Sequence, residues 1–408
     1  MDSKKLKGLS DTVLKFKSAL NDTLNMENSE FHAAINGDEP LTFRGLKQSI
    51  HDDPNSYSVE ISDLLFWHDS EAYMDELERW EGQLVKDQHL EMLEYLDESE
   101  QSAVFSKLVE TIKKKRIAPF VGAGLSKPCN FPLWGEAIEK LVKKLEGVST
   151  SEQRAAQPAL AYLEEVEKYL SEWNYLDAVD LLYANSKTHV DSFVLNTFEL
   201  SADPIISGPV RLLPMICDGC IVTTNFDEAI EIVFSKARKP IEGYMHGTQT
   251  QNQFAAKLIQ GERCILKLHG NVNDPDTYIF SKAQYNDAYG DYPSFDYTRP
   301  LAKTLRQIFV SHSLLFLGCS LEQDRTLELF QDVVNSKAFD IPAHFALLPK
   351  PSDYEKYLAK EKMLQEAKIR PIWYQAPKDE DGKSDHSGLE KLLKLAIDCA
   401  AGKTRIRV

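Results

Sequence analysis

The spacing of apolar residues changes near Ile117 and divides the chain into two parts. Before that point, apolar residues recur at helical spacing, which predicts helices over residues 1–26 and through 60–115. Residues 27–60 are interrupted by glycine and proline and are predicted to be loop-rich. We therefore expect a mostly helical N-terminal region over residues 1–115.

From Ile117 onward, short β-rich runs alternate with amphipathic helical stretches. These runs are IAPFVGAG (117–124), CIVTTNF (220–226), CILKLHG (264–270), SLLFLGCS (313–320), AHFALLP (343–349) and RPIWYQA (370–376). Apolar strands that alternate with helices predict an α/β fold: a Rossmann-like, mostly parallel sheet with helices on both faces. Helix-like sequence over about 148–215 predicts a helical insert within this second domain, which spans residues 116–408.

The composition is that of a soluble globular protein, with 43% hydrophobic and 27% charged residues among 408. Residues 1–100 carry 9 Lys and Arg against 23 Asp and Glu, which accounts for −14 of the net charge of −16. This acidic region argues against direct nucleic-acid binding, which requires clustered basic residues. A solvated helical surface or a partner contact would each account for it. With no apolar membrane-spanning run and no secretory signal, we expect a cytoplasmic protein without membrane contact.

Four of the predicted strands end in residues suited to chemistry. The ends read Gly122-Ala123-Gly124-Leu125-Ser126, Thr223-Thr224-Asn225-Phe226-Asp227, His269-Gly270 and Gly318-Cys319-Ser320. In an open parallel sheet, ligands bind beyond the carboxyl ends of the strands. We therefore expect these residues to form one site.

Each end, taken alone, also fits a structural role. Lys127 stands where the dinucleotide fingerprint G-x-G-x-x-G has its third glycine, so the glycines could form only a turn. Asn225 or Asp227 could cap the following helix, His269 could be structural, and Ser320 could be a cap or turn residue.

The order of the four ends resembles the sirtuin (Sir2) superfamily over residues 117–408. It is more similar to the SIR2-like NADase domains of bacterial antiphage defence systems, of the Sir2–HerA type or related, than to the histone deacetylases. The resemblance rests on the runs FVGAGLSKPCNFPLWGE, VTTNFDEAIE, KLHGNVNDPDTYIFSKAQY and LLFLGCSLEQD. It implies that the chain uses NAD+ as a substrate.

The resemblance also implies a role for each matching residue. Asn225 would position the attacking water or ribose, Asp227 would support the nicotinamide-side pocket, and His269 would act as general base on a ribose hydroxyl. The residues that would bind the rest of NAD+ are Gly122, Ala123, Gly124, Ser126, Thr224, Gly318, Ser320 and Asp324.

Two departures from the deacetylating sirtuins bear on the expected reaction. No CxxC pair follows His269, so we expect no zinc and interpret Cys217 and Cys220 as buried structural thiols. The run FPLWG over 131–135 lacks the Asp and Arg of the deacylase run G-I-P-D-F-R. We therefore expect an NAD+ glycohydrolase that releases nicotinamide and ADP-ribose. A protein deacylase and a non-catalytic NAD or ADP-ribose binding module are the alternatives.

The resemblance further implies a setting for this reaction. Such a domain would deplete NAD+ during phage infection and act by abortive infection. The expected assembly is a homo-oligomer with a partner protein such as a HerA-type ATPase. The chain has no GxxxxGK[ST] motif, so we do not expect it to be that ATPase itself.

Overall fold

The computed structural model describes most of the chain in two compact units, Met1–Leu90 and Glu91–Val408. The described residues are Leu20 and Thr23, together with 26–38, 41–44, 56–148, 162–172, 174–201, 204–249, 253–322, 325–379 and 382–406. Among these residues, no helix has both the length and the apolar sequence that crossing a membrane requires.

The first unit is built from helices and one small sheet. Its elements are α1 (Ser29–Asn36), the antiparallel strands β1 (Leu41–Arg44) and β2 (Ser56–Val59), α2 (Ile61–His68) and most of α3 (Ser70–Glu98). Phe31 and Tyr73 are buried at its centre, with their rings edge to face, and His32 Nε2 lies 2.7 Å from Tyr73 Oη. The helices predicted over 60–115 are confirmed, whereas the prediction of loops over 27–60 is wrong for α1, β1 and β2. The predicted helix over 1–26 falls mostly outside the described residues.

The second unit contains a seven-stranded sheet. Its strands are β3 (Ile117–Val121), β4 (Cys220–Thr223), β5 (Gly243–His246), β6 (Cys264–Lys267), β7 (Ser313–Leu317), β8 (His344–Pro349) and β9 (Ile369–Tyr374). They are ordered β5-β6-β4-β3-β7-β8-β9, and every pair of neighbours is parallel. The predicted Rossmann-like α/β fold is therefore confirmed. The edge strand β5 is an addition to the predicted strands.

Helices cover both faces of this sheet, which explains why its strands are apolar on both sides. Alternate residues of a strand point to opposite faces, so Ile117 and Val121 join one core while Ala118 and Phe120 join the other. The first core contains α4 (Ser102–Lys113), α9 (Leu213–Ile216), α10 (Ala229–Lys236) and α16 (Ser387–Ala400). The second contains α11 (Phe254–Ile259), α12 (Lys282–Tyr289), α13 (Pro300–Ser311), α14 (Arg325–Asn335) and α15 (Tyr354–Glu366).

A third core joins a helical module to the loops that follow β4 and β6. The module contains α6 (Trp134–Val148), α7 (Tyr162–Ser171) and α8 (Tyr175–Phe198). Phe226 and Phe280, from the loops, are buried among these helices, and the Trp134 ring stacks on Phe280 with centroids 5.5 Å apart. Two of these helices, α7 and α8, lie within the range of about 148–215 predicted for the insert, and the module packs against the loops that follow β4 and β6. The predicted domain boundary near residue 115 stays a prediction.

Glycines allow β3 and β7 to approach closely just beyond their carboxyl ends. The short helix α5 (Ala123–Ser126) follows β3, and Gly124 N donates to Gly318 O over 2.9 Å. Gly318 has φ +67°, and a Cβ on it would lie 2.3 Å from Leu125 N. Only glycine combines this backbone conformation with this contact.

We predict that Gly318→Ala destabilises the protein more than the matched change Gly261→Ala. Gly261 also has a positive φ, of +81°, but a Cβ there would meet no atom within 4 Å. Gly261→Ala should therefore lower the free energy of unfolding only by the left-handed backbone cost of about 1–2 kcal/mol. Gly318→Ala adds a backbone clash to that cost. Urea unfolding of both variants measures the difference, and equal losses would contradict the proposed contact.

Candidate functional site

The four strand ends singled out in the sequence meet at one edge of the sheet. Their strands, β6, β4, β3 and β7, are consecutive in the strand order. From β3 the chain continues into β4 on one side, and it later adds β7 on the other side of β3. Such a reversal opens a crevice beyond the carboxyl ends of the strands, where ligands bind in open α/β sheets.

The glycine turn after β3 is held by β7 through its backbone. Gly122 N donates to Leu317 O and Gly124 N donates to Gly318 O, both over 2.9 Å. These two N–H groups are therefore engaged within the protein, and packing between strands accounts for both glycines. Ala123 is half-buried and Gly124 is exposed at the edge of the sheet.

Asn225 is fixed by contacts to β3 and to α5. Its Nδ2 donates to Ser126 Oγ at 2.9 Å and to Gly122 O at 3.3 Å, while its backbone N donates to Thr223 Oγ1. The side chain is only 6% exposed. Its Oδ1 is buried and finds no hydrogen-bond partner within the part of the chain that the structure describes. Asn225 therefore presents one oriented, unsatisfied acceptor at the end of β4.

Asp227 is buried beside Asn225, with its carboxylate held by several donors. Its Oδ1 accepts from Ala229 N at 3.0 Å, which fits the cap interpretation, and Ser126 also bonds to it. Burial raises the pKa of Asp227, and the positive charge of Lys267 opposes that rise. Ser126 is thus shared by the Asn225 amide and the Asp227 carboxyl group.

His269 lies partly buried after β6, in contact with the neighbouring strand end. Its ring bonds to the backbone of Thr224, and its Nε2 lies 3.1 Å from Tyr285 Oη. Burial lowers the pKa of His269 to about 4, outweighing the Thr224 contact, which acts to raise it. The imidazole is therefore neutral near pH 7 and able to accept a proton.

Tyr285 is a contact of His269 that the sequence interpretation missed. It lies on α12, whose start is fixed by a capping box between Ser281 and Gln284. Its position sixteen residues after His269 gives no local signal of their contact, which arises from the packing of α12 against the sheet.

Lys267 is the second residue that the sequence interpretation missed. The side chain is fully buried, and its Nζ donates to Asp227 O at 2.7 Å and to Phe226 O at 3.2 Å. It also pairs with Glu231 Oε1 at 2.8 Å. A lysine within the apolar run CILKLHG is a signal in the sequence, since lysine is almost never fully buried without a partner.

Two of the remaining predicted residues, Thr224 and Ser320, lie on the β4 and β7 sides of the crevice, respectively. Thr224 is half-buried, and its N donates to Val121 O at 3.1 Å. Ser320 is exposed, and its carbonyl accepts from Lys360 Nζ. Asp324 lies outside the described residues.

The cysteines are free thiols in the structure. Cys217 and Cys220 are buried, as expected, and Cys217 Sγ donates to Cys220 O at 3.3 Å. Burial raises the pKa of Cys217 to about 12, so this thiol is protonated and unreactive. No cluster of three or more His, Cys, Asp or Glu side chains suited to a metal ion occurs among the described residues.

Comparison with known proteins points to the same part of the molecule. Residues 219–372 match the family of SIR2-like domains. The chain is 23% identical over 223 residues to NAD(+) hydrolase ThsA of Acinetobacter baumannii (strain 532279), covering 55% of this chain and 40% of the relative. It is 20% identical over 240 residues to NAD(+) hydrolase ThsA of Bacillus cereus (strain MSX-D12), covering 59% of this chain and 44% of the relative.

The matched regions span less than half the length of these two relatives. The SIR2-like match includes β4, β6 and β7 with the strand ends that carry Asn225, Asp227, His269 and Gly318. The predicted resemblance to SIR2-like domains is confirmed over residues 219–372, which match that family.

Proposed function

We propose that this chain is an NAD+ hydrolase that cleaves the nicotinamide–ribose bond. The observation that carries the proposal is the unsatisfied acceptor of Asn225, just after β4, at the same edge of the sheet as the neutral His269, just after the adjacent strand β6. Two relatives of the matched region carry the name NAD(+) hydrolase. A site of this kind offers one group to orient a nucleophile and one group to accept a proton.

The bond changes of the proposed hydrolysis require only these two kinds of group from the protein. The C–N bond between ribose C1′ and the nicotinamide ring breaks, and its electron pair neutralises the pyridinium nitrogen. Because the leaving group is already cationic, it departs without a general acid, through an oxocarbenium-like state. Water then forms the new bond to C1′ and loses one proton, giving ADP-ribose and nicotinamide.

In this proposal, Asn225 and His269 act on the reacting atoms. Asn225 Oδ1 accepts a hydrogen bond from the attacking water or a ribose hydroxyl, which satisfies its buried acceptor. His269 is neutral and accepts a proton from a ribose hydroxyl, after that hydroxyl takes the place of Tyr285 at Nε2. The ribose oxygen regains a proton from the attacking water, so the one proton released by the reaction leaves through His269. Asp227 supports the nicotinamide side of the site.

The rest of the substrate would lie along the β3 and β7 side. We assign Gly122, Ala123, Gly124, Ser126, Thr224, Gly318, Ser320 and Asp324 to the binding of NAD+. The N–H groups of Gly122 and Gly124 already donate within the protein. These glycines would therefore contribute by allowing the ends of β3 and β7 to approach each other closely. The proposed site uses no zinc.

We further propose that the activity depletes the cytoplasmic NAD+ pool in antiviral defence, by abortive infection. The acidic N-terminal region, residues 1–115, would provide contacts for a homo-oligomer or for a partner such as a HerA-type ATPase. Residues 116–408, with the helical insert, would form the catalytic domain. This setting rests on the resemblance to SIR2-like defence proteins.

The proposal is tested by incubating the full chain with NAD+ and separating the products by chromatography. We expect nicotinamide and ADP-ribose in equal amounts, with no acylated peptide required. The assay is run with the chain alone and with its genomic neighbour present. Nicotinamide release that depends on an acylated peptide would favour a deacylase, and NAD+ binding without turnover would favour a binding module.

We predict that Asn225→Ala lowers kcat by about 10²–10³-fold, as loss of one oriented polar group at a reaction centre typically does. The matched control is Asn185→Ala, at an exposed position on α8 whose side chain bonds only locally to Leu181 O. This control should keep full activity. Steady-state kinetics with a thermal melt of each variant measures the effect. A folded, fully active Asn225→Ala variant would contradict the role assigned to Asn225.

We predict that the acid–base behaviour of His269 is shifted well below the ordinary histidine value of 6.5. With a pKa of about 4 in the folded chain, the base stays neutral as the pH falls through 6.5. In the unfolded chain the imidazole takes a proton near 6.5, so this group contributes stability above that pH that is progressively lost as the pH falls towards 4.

Histidine NMR, with the His269 signal assigned from a His269→Gln spectrum, measures this pKa directly. The pH dependence of kcat/KM for NAD+ gives the functional counterpart. Asp227→Asn is measured in parallel so that ionisation of the Asp227 carboxyl group is recognised. A His269 titration centred near 6.5 would refute the prediction.

A further inference from the structure

Lys267 occupies an unusual position next to the loop that follows β4 and carries Asn225 and Asp227. Its ammonium group has no solvent exposure and binds four oxygens: the carbonyls of Phe226 and Asp227, Asn271 Oδ1 and Glu231 Oε1. A buried ammonium group is costly unless it is paired and hydrogen-bonded, and these four contacts satisfy that condition. The strand β6 would need no charge if it served only the core.

The ammonium group completes a set of contacts along the end of β4. Thr223 O accepts from Leu268 N at 2.8 Å, and the Thr224 backbone bonds to the His269 ring. Phe226 O accepts from Val272 N at 3.1 Å as well as from Lys267, and Asp227 O accepts from Lys267. The segment 267–272 therefore fixes the backbone on both sides of Asn225.

The charge of Lys267 also acts on its titratable neighbours. Burial raises the pKa of Asp227 and of Glu231, and the charge of Lys267 opposes both rises. Burial, together with the charge of Lys267, lowers the pKa of His246, which lies opposite Lys267 on β5. The carboxylate of Glu228 acts in the opposite direction on His246 and acts to raise its pKa. Glu231 Oε2 and His246 Nε2 are buried and have no hydrogen-bond partner among the described residues.

We propose that Lys267 is a positioning residue, whose ammonium group holds the Phe226–Asp227 backbone and thereby aims the Asn225 amide at the substrate. The consequence for catalysis rests on the NAD+ hydrolase function proposed above; the consequence for the loop does not. A purely structural lysine would affect stability without a specific effect on the loop.

The critical variant replaces both buried charges, in Lys267→Met/Glu231→Met. Replacing both members of a buried ion pair by apolar residues is often neutral or stabilising, whereas removing one strands the other. The double variant should therefore keep a melting temperature near that of the unaltered chain. It removes every donor from Lys267 to the carbonyls of Phe226 and Asp227. Lys267→Met alone and Lys303→Met, an exposed lysine on α13, complete the set.

Hydrogen–deuterium exchange of the full chain reads the loop directly, without any need for activity. We expect faster exchange confined to residues 224–229 in the double variant and no change in Lys303→Met. Unchanged exchange at 224–229 in the folded double variant would overturn the proposal. This readout remains decisive even if the unaltered chain releases no nicotinamide.

Kinetics then test the link to Asn225. Misplacement of a reacting group by about 1 Å can cost about 100-fold, so we expect kcat in the double variant to fall by about that factor with KM little changed. Adding Asn225→Ala to the double variant should lower kcat no further than Asn225→Ala alone, because both changes act through one amide. Fully additive losses, or a loss carried by KM alone, would overturn the catalytic part.

Discussion

The buried ammonium group of Lys267 is the interaction on which the candidate site depends. It lies at the end of β6 and binds the carbonyls of Phe226 and Asp227 in the loop that follows β4. A strand end normally leaves its carbonyls to solvent, so the loop after it is free to move. Here a fully buried cation and the N–H groups of Leu268 and Val272 take those carbonyls, and the loop becomes an extension of the sheet. The free Asn225 Oδ1 has a defined direction because the rest of that residue's surroundings is fixed.

A second constraint acts from the other side, where backbone meets backbone at Gly122, Gly124 and Gly318. The bonds from Gly122 N to Leu317 O and from Gly124 N to Gly318 O fix α5 against β7. Ser126, at the end of α5, then receives the Asn225 amide. The amide is therefore held from two sides. On one side Lys267 fixes the backbone of its loop, and on the other side the close backbone contact of the glycines fixes Ser126. Preorganisation of this kind is what a site requires to stabilise charge that develops in a reaction.

The sequence predicted the central architecture because its signals are local. Apolar strands ending in glycine, Asn225, His269 or Gly318 define both the sheet and its functional edge, and the four strands are adjacent in the structure. The strand β5 was missed because GYMH is not a continuous apolar run like those of β4 and β6 and exposes Tyr244. The pair β1 and β2 was missed because the glycine and proline residues around these short strands favour a loop prediction. Tyr285 could not be found, since its contact with His269 depends on how α12 packs, and packing leaves no periodic trace in one sequence.

The charges in the site form a consistent pattern once Lys267 is included. A substrate with a cationic pyridinium ring would be repelled by an unpaired positive charge at the end of β6. The Glu231 carboxylate balances the ammonium group at 2.8 Å, and Lys267 in turn favours the ionised form of Asp227. Burial keeps His269 neutral, and Asn225 carries no charge. The polar groups that face the crevice from β4 and β6 are thus neutral or anionic, while the cation that positions them is turned towards carbonyls and a carboxylate. Such an arrangement holds a loop with a strong interaction and still leaves the site compatible with a positively charged leaving group.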